Sequence, residues 1–290
     1  MGPEVACCPL CGSDRNVPFD RRLFMNVPVN NRLCESCGLV FQSPRLSKAE
    51  ADEFHRTQYR RIHQVGNASI DPREIAIQRA RADCMLALFS KTVAHVSSHL
   101  DIGCSAGLLM QAFAKAYSCK TTGLELDNLY RSYALQQGLQ VFETLEALPQ
   151  PGRFDVISMS HVLEHIPEPV EFLKRLRQDF LEPAGWLFLE VPNLYAHDCF
   201  EPGHLISFSS HTLAQVLQQA GFRVIRSVHH GLPRSKIVPL YLNVLAQPGG
   251  EEGGPVKRES MVLPRRKIGR GLRRLAEYFF PAAAKLSIIE

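Results

Sequence analysis

Between residue 98 and about residue 247 the chain alternates short apolar runs with helical stripes. That alternation limits its fold more than any other feature. Apolar runs at 98–102, 120–125, 139–142, 154–160, 185–191, 222–228 and 240–246 read as strands. Helical patterns at 106–117, 128–137, 168–180 and 210–220 separate most of the first six. Strand–helix alternation predicts an α/β fold with a doubly wound, mostly parallel sheet of seven strands and helices on both faces. Only "HHGLPRSKIVP" separates the last two runs, so they are expected to pair antiparallel at one edge.

Three further segments flank this region. Residues 1–45 carry two cysteine pairs. Residues 46–97 read as a helical connector or lid. Its first helix opens with Ser47 and, three residues on, Glu50, a capping box. Its second starts with Asp71 as cap and Pro72 in the first turn, and Ile75, Ala82, Met85, Leu86 and Phe89 form an apolar stripe. Residues 248–290 follow the strand region (98–247) as a Gly/Pro-rich linker and a basic tail. With 45% hydrophobic and 21% charged residues the composition is that of an ordinary globular protein. No apolar run reaches the roughly 18 residues of a membrane span, and "MGPEVACC" lacks the pattern of a signal peptide. A cytoplasmic protein with reduced thiols is therefore expected.

The cysteine pairs are Cys8-x-x-Cys11 and Cys34-x-x-Cys37, each followed by glycine. Four thiolates at this spacing match a zinc ribbon, with the ion closed off and structural rather than catalytic. Cys7 is a poorer ligand than Cys8, because it would lengthen the first spacing. Cys84, Cys104, Cys119 and Cys199 are scattered and read as packed thiols.

"LDIGCSAGLL" (100–109) joins the first strand of the alternating region to its helix. Gly103 and Gly107 permit a tight turn and close approach of a ligand to the backbone. The central glycine that admits a pyrophosphate in dinucleotide sites is absent. The next strand ends near Glu125, an acid placed to accept hydrogen bonds from ribose hydroxyls. A ribose without phosphates, close to Asp101 and Glu125, points to a cationic nucleoside, S-adenosylmethionine. The fourth run, within "FDVISMSHVLEHIPEP" (154–169), ends in Ser160 and His161 and faces the same ligand.

These stretches, with "GLELD", "GWLFLEVPN" (185–193) and "GHLISFSSHTLAQVLQQAGFRVI" (203–225), resemble the class I S-adenosylmethionine-dependent methyltransferases of the methyltransferase domain 23 type. The resemblance covers about residues 98 to 246 and implies a Rossmann-like methyltransferase sheet. It assigns the cofactor to Asp101, Gly103, Cys104, Gly107, Glu125 and Ser160. Ser105 departs from the glycine common at its position. The loop "ETLEAL" (143–148) lies where the adenine side is expected. The cysteine ribbon followed by "GLVFQSPRLSKAEADEFHRTQYR" resembles one subgroup of the family, whose members act on sugars, surface polysaccharides or small natural products, and makes Tyr59 a lid residue.

A hydroxyl acceptor needs a base or a metal. His161, Glu164 and His165, at i, i+3 and i+4, would share one face of a helix starting there. Histidine suits general-base work near pH 7. Some oxygen-methylating relatives bind Mg2+ at this position, but His161 is a poorer Mg2+ ligand than a carboxylate. The structural alternative is that Glu164 and His165 cap the next helix and fix the loop. His204, Tyr195 and Phe200 are further candidates for the acceptor pocket.

The formal net charge of +4 is unevenly placed. Residues 257–274 hold eight basic residues against Glu259 alone, so the remainder is net negative. No nucleic-acid partner is expected from such a body. Ile268, Leu272, Leu275 and Phe279 recur at helical spacing between the arginines, as in helices that lie on the inner face of an anionic membrane. The alternative is that this stripe docks on the chain's own domain. The leading expectation is a methyltransferase for a small-molecule acceptor, a sugar, polysaccharide precursor or natural-product intermediate. The alternatives are an RNA or protein methyltransferase that grips its substrate through the ribbon, and a non-catalytic cofactor-binding scaffold.

Overall fold

The alternating region folds into a seven-stranded sheet, described in a computed structural model that covers residues 3–57, 70–149, 152–198 and 200–285. Its strands are β4 (Ser98–Ile102), β5 (Lys120–Leu124), β6 (Gln140–Phe142), β7 (Phe154–Ser160), β8 (Leu181–Pro192), β10 (Phe222–His230) and β11 (Tyr241–Pro248). Their spatial order is β10-β11-β8-β7-β4-β5-β6. The first five in sequence run parallel, with Leu100 opposite Thr122 on one side and Ile157 on the other. The last two pair antiparallel with each other, and β11 pairs antiparallel with β8. The connection between them is too short to cross back over the sheet, so the chain turns on itself.

Successive strand residues face opposite sides, and the sheet is covered on both. Ile157, Leu187 and Leu189 pack with Leu173 and Leu176 and with Leu213 and Leu217 of a helix at Ser210–Gln219. Their neighbours Val156 and Phe188 point the other way, to Met85 and Phe89 of the helix α2 (Pro72–Phe89) and to Phe113 of the helix α3 (Leu108–Tyr117). Phe89 centres that side, with ring centroids 4.9 Å from Phe113 and 5.1 Å from Phe188. Burying each such ring stabilises the fold by about 1.5–3 kcal/mol. The caps expected at the helix starts are present. Asp71 accepts from the Arg73 amide, and Ser47 and Glu50 bond reciprocally at the start of α1 (Lys48–Thr57).

The N-terminal segment forms an antiparallel hairpin, β1 (Asn16–Phe24) and β2 (Val27–Cys34), extended by β3 (Val40–Gln42). A fourth strand, β9 (Ile206–Ser207), comes from the alternating region and pairs with β3. It is too short to be read from sequence. The hairpin sheet is thus built from both ends of the first 210 residues.

The C-terminal segment is anchored rather than a free linker. Glu252 pairs with Arg177 at 2.6 Å, and the amide of Glu259 donates to the Cys37 carbonyl at 3.0 Å. The buried Glu259 carboxylate accepts from Ser209 Oγ (2.5 Å) and Tyr195 OH (2.7 Å). The chain then enters the helix α7 (Val262–Phe279). No helix among the described residues is long and apolar enough to cross a membrane.

Candidate functional site

A cavity of about 610 Å³ opens at the carboxyl ends of β4, β5 and β7, where ligands sit in open α/β sheets. Asp101, Gly103, Cys104, Glu125, Ser160, His161 and His165 all reach its wall. Gly107 and Glu164 are not among its lining residues. Tyr59 and Cys199 lie outside the described residues.

The glycine turn is held by its own amides. Those of Gly103 and Cys104 both donate to the Leu124 carbonyl, at 2.8 and 2.9 Å. The Ser105 amide donates to Glu125 Oε2 at 2.8 Å, and that of Ala106 to Gln78 Oε1 at 3.2 Å. Residues 103–106 therefore have their amides engaged within the protein, whereas a phosphate-binding turn keeps such groups for its ligand. Gly103 and Gly107 sit at φ +72° and +77°, left-handed values that favour glycine. Ser105 adopts φ +52° without being glycine, and its bond to Glu125 helps to hold it there. The other Glu125 oxygen accepts from the Asp127 amide at 2.8 Å, so this carboxylate locks turn and second strand together.

Asp101 is buried at the end of β4. Burial pushes its carboxyl up to about 7, with the Glu125 charge adding to the rise and a Ser158 hydrogen bond opposing it. Ser158 Oγ donates to Asp101 Oδ1 at 2.6 Å and lies 2.7 Å from His99 Nε2. Burial lowers His99 to about 3, so it is neutral, and Nε2–H is the donor that completes the chain. Ser160 Oγ is buried with no partner among the described residues. A buried acid that resists ionisation and an unpartnered hydroxyl lining the same cavity suit a ligand carrying positive charge and hydrogen-bonding groups. The donor set thus fits S-adenosylmethionine.

Another part of the wall carries histidines and acids. The expected helix over 161–165 is absent. His161 is left-handed, at φ +56°, and only Leu163–His165 forms a single 3-10 turn. The three residues therefore do not share a helical face. The next helix, Pro169–Arg175, takes no cap from Glu164 or His165. Instead the His161 ring is clamped between carboxylates, with Nδ1 3.3 Å from Glu164 and Nε2 3.4 Å from Glu190. His165 Nδ1 lies 2.7 Å from the Gly203 carbonyl, which it can bond only as a donor, so in the neutral ring Nε2 carries the lone pair. His204 Nε2 is 3.0 Å from Glu201 and 4.0 Å from Glu164.

Glu190 is the residue that sequence reading missed. It sits fully buried on β8, 3.2 Å from Arg81 of α2 and 3.1 Å from His230 of β10. Burial opposes its charge, but the close imidazoles of His161 and His230 and the Arg81 guanidinium hold its carboxyl well below the usual range. A lone acid inside "WLFLEVP" was the available signal. Gln78 and Arg81 gave none, and with them α2 contributes to the wall of the cavity. Tyr195 and Phe200 do not line the cavity; Phe200 packs with Val29 and Leu194.

The cysteine knuckles match each other. In one the Gly12 amide donates to the Cys8 carbonyl, in the other Gly38 to Cys34, both at 2.9 Å, with both glycines left-handed. The four Sγ atoms lie within 4.8 Å of one another, and Cys8–Cys37 and Cys11–Cys34 are each 3.5 Å apart. A tetrahedral ion bound at about 2.3 Å needs sulfurs roughly 3.8 Å apart, so the residues fit zinc. Cys7 is exposed and stands outside the cluster. A second group, Glu164, His165 and His204, also brings three ligand atoms within 4.8 Å.

A family model described as a methyltransferase domain matches residues 63–227, more than half of the chain. A ubiquinone biosynthesis O-methyltransferase of Xanthomonas campestris pv. campestris is 30% identical over 160 residues, covering 50% of this chain and 65% of that protein. One of Bordetella bronchiseptica is 32% identical over 104 residues, covering 32% and 42%. The chain thus spans less than two thirds of the length of these relatives. Among solved structures, a Burkholderia thailandensis 1,6-didemethyltoxoflavin-N1-methyltransferase with bound S-adenosylhomocysteine superposes with a TM-score of 0.56 at 19% identity, over 73% of this chain and 96% of that one. A Synechocystis magnesium protoporphyrin IX methyltransferase gives 0.50 at 17%, over 70% and 100%. At these identities the structural likeness concerns the fold.

Proposed function

Because the chain belongs to the methyltransferase-domain family, we propose that it transfers the methyl group of S-adenosylmethionine to a hydroxyl of a small-molecule acceptor. When bound, the cofactor supplies an electrophilic methyl on a sulfonium. The chain's own residues then have three tasks. Glu125 accepts from the ribose hydroxyls while keeping the glycine turn in shape. Asp101 faces the cationic end. His165 takes the acceptor's proton at Nε2, its orientation fixed by the bond from Nδ1 to Gly203. That bond is the observation that carries the oxygen-acceptor reading. His161, with both nitrogens against carboxylates, is a positioning residue in this scheme.

An acceptor enclosed between α2 and the histidine wall is a small one, such as a sugar or another hydroxylated pathway intermediate. The ubiquinone O-methyltransferases among the relatives act on a small molecule by name, which supports the class without fixing the compound. One second reading has its own observation. Glu164, His165 and His204 could hold a divalent ion that activates the hydroxyl. One carboxylate and two imidazoles suit a zinc-like ion better than Mg2+.

The test is methyl transfer by the purified chain to a panel of hydroxylated acceptors, read by mass spectrometry, beside His165→Gln. Loss of turnover by roughly 10²–10⁴-fold with cofactor affinity unchanged is expected of the base. One metal per chain supports the base, and two support the ion. Methylation of RNA or protein alone would overturn the small-molecule reading. Absence of cofactor binding would overturn the enzyme.

A further inference from the structure

Helix α7 docks with its cations inward. Arg266 is buried, and its guanidinium donates to the carbonyls of Leu194 and His197. Arg273 donates to the Ala196 carbonyl at 3.1 Å, and Arg270 pairs with Asp198 at 3.4 Å. Gly269 lies against the Tyr195 carbonyl, where a Cβ would not fit. Val262 and Ala276 complete the docked face.

At about 100° per residue, Ile268, Leu272, Leu275 and Phe279 fall on one stripe pointing away from that face. They are 62%, 61%, 54% and 64% exposed. Folded chains expose single apolar residues freely, but a continuous row of them marks a contact surface. Lys267 and Arg274 are also exposed and flank the stripe on one side, whereas Arg265 on the other pairs with Glu259 at 2.9 Å and lies over the Tyr195 ring. The helix's acid, Glu277, is turned toward the docked side, where it pairs with Arg273 at 2.8 Å. The apolar row and the cations of Lys267 and Arg274 therefore face outward with no carboxylate of the helix between them.

We propose that this face of α7 is a docking surface for an anionic lipid bilayer. Apolar side chains would enter the acyl boundary while the flanking cations reach the phosphates. A second copy of the chain fits less well, because a two-fold contact would set Lys267 and Arg274 against their own duplicates. The docked arginines already order the helix, so binding does not have to fold it. The loop beside it packs on the end of this segment. The Lys236 amide donates to the Ala283 carbonyl at 2.8 Å, and Ile237 next to it is 48% exposed. That loop also sends Arg234 into the cavity wall, so one loop meets both the end of this segment and the cavity.

Co-sedimentation of the full chain with phosphatidylglycerol-containing vesicles tests the assignment. The chain is expected in the pellet with anionic vesicles, less so with phosphatidylcholine alone, and less again at high salt. Leu272→Asp/Leu275→Asp should lower vesicle affinity at least about tenfold, with S-adenosylmethionine binding and thermal stability unchanged. Lys267→Glu/Arg274→Glu should abolish the preference for anionic vesicles. A chain that stays in the supernatant, or a double-Asp variant that binds like the parent, overturns the proposal. So does a dimer in light scattering that the double-Asp variant dissolves, since the face would then be occupied by a second copy. Cofactor binding measured on the same samples keeps this outcome separate from that of the methyl-transfer reading.

Discussion

Replacing Glu125 by glutamine separates the two jobs of that side chain. In the folded protein its two oxygens each accept a backbone amide at 2.8 Å, from Ser105 and from Asp127. Glutamine keeps one acceptor oxygen. Whichever way it turns, its NH2 faces one of those amides, donor against donor. Leaving one buried donor unpaired costs about 1–3 kcal/mol of stability, which lowers the melting temperature by roughly 2–4 °C per kcal/mol. On the proposed assignment the ribose contacts are a separate loss. Two hydroxyls that bonded a carboxylate would bond a neutral amide, at a cost of about 1 kcal/mol each. That weakens S-adenosylmethionine binding by about 30-fold. Calorimetric titration gives the second quantity and cofactor-free thermal melting the first. A variant that melts lower yet binds the cofactor within about threefold of the parent would refute the ribose assignment and leave Glu125 as a purely structural clamp.

Two further predictions follow from other buried groups. Asp101 is raised to about 7, so its contribution to stability is fully present below the unfolded value near 4 and is lost as pH rises through about 7. A cation bound beside it favours the ionised form, so cofactor binding near pH 7 should release a proton. Calorimetry in two buffers of different ionisation heat reads that proton directly, and identical heats would sink the assignment. The cysteine cluster should hold one zinc per chain by elemental analysis. Cys34→Ser should lose that zinc and melt well below the parent, because binding energy at such a site is folding energy. An unchanged melt would mean that the knuckles stand without the ion.

The seven strands were readable because an apolar period of two against a helical stripe needs no tertiary information, and the knuckles because Cys-x-x-Cys-Gly is a local geometry. The turn at Gly103 and the acid at Glu125 were readable for the same reason: strand, turn, helix and strand follow in order. What was hidden came from distance. Arg81, Glu190 and His230 meet only when α2, β8 and β10 assemble, and their spacing along the chain carries no trace of it. The His161–His165 stretch looked helical by spacing, but a left-handed residue at 161 breaks the period, and nothing in "SHVLEH" announces it. In α7 the sequence fixes the angle of the apolar stripe on the helix. Which face docks is decided by the carbonyls of Leu194, Ala196 and His197 waiting on the body, and these favour arginines.

The pairing of β3 with β9 reaches further than the small sheet. Gln42, on β3, donates its side-chain amide to the carbonyls of Glu201 and His204, at 2.5 and 2.7 Å, and its backbone amide to Leu205. The loop that carries His204 into the cavity is therefore hung from the strand that follows the second cysteine knuckle. A chelator that strips the ribbon's ion would slacken that loop and depress turnover without any metal having touched the acceptor. Inhibition by EDTA, on which metal-dependent catalysis is commonly argued, is ambiguous for this architecture unless the ribbon's own ion is counted first.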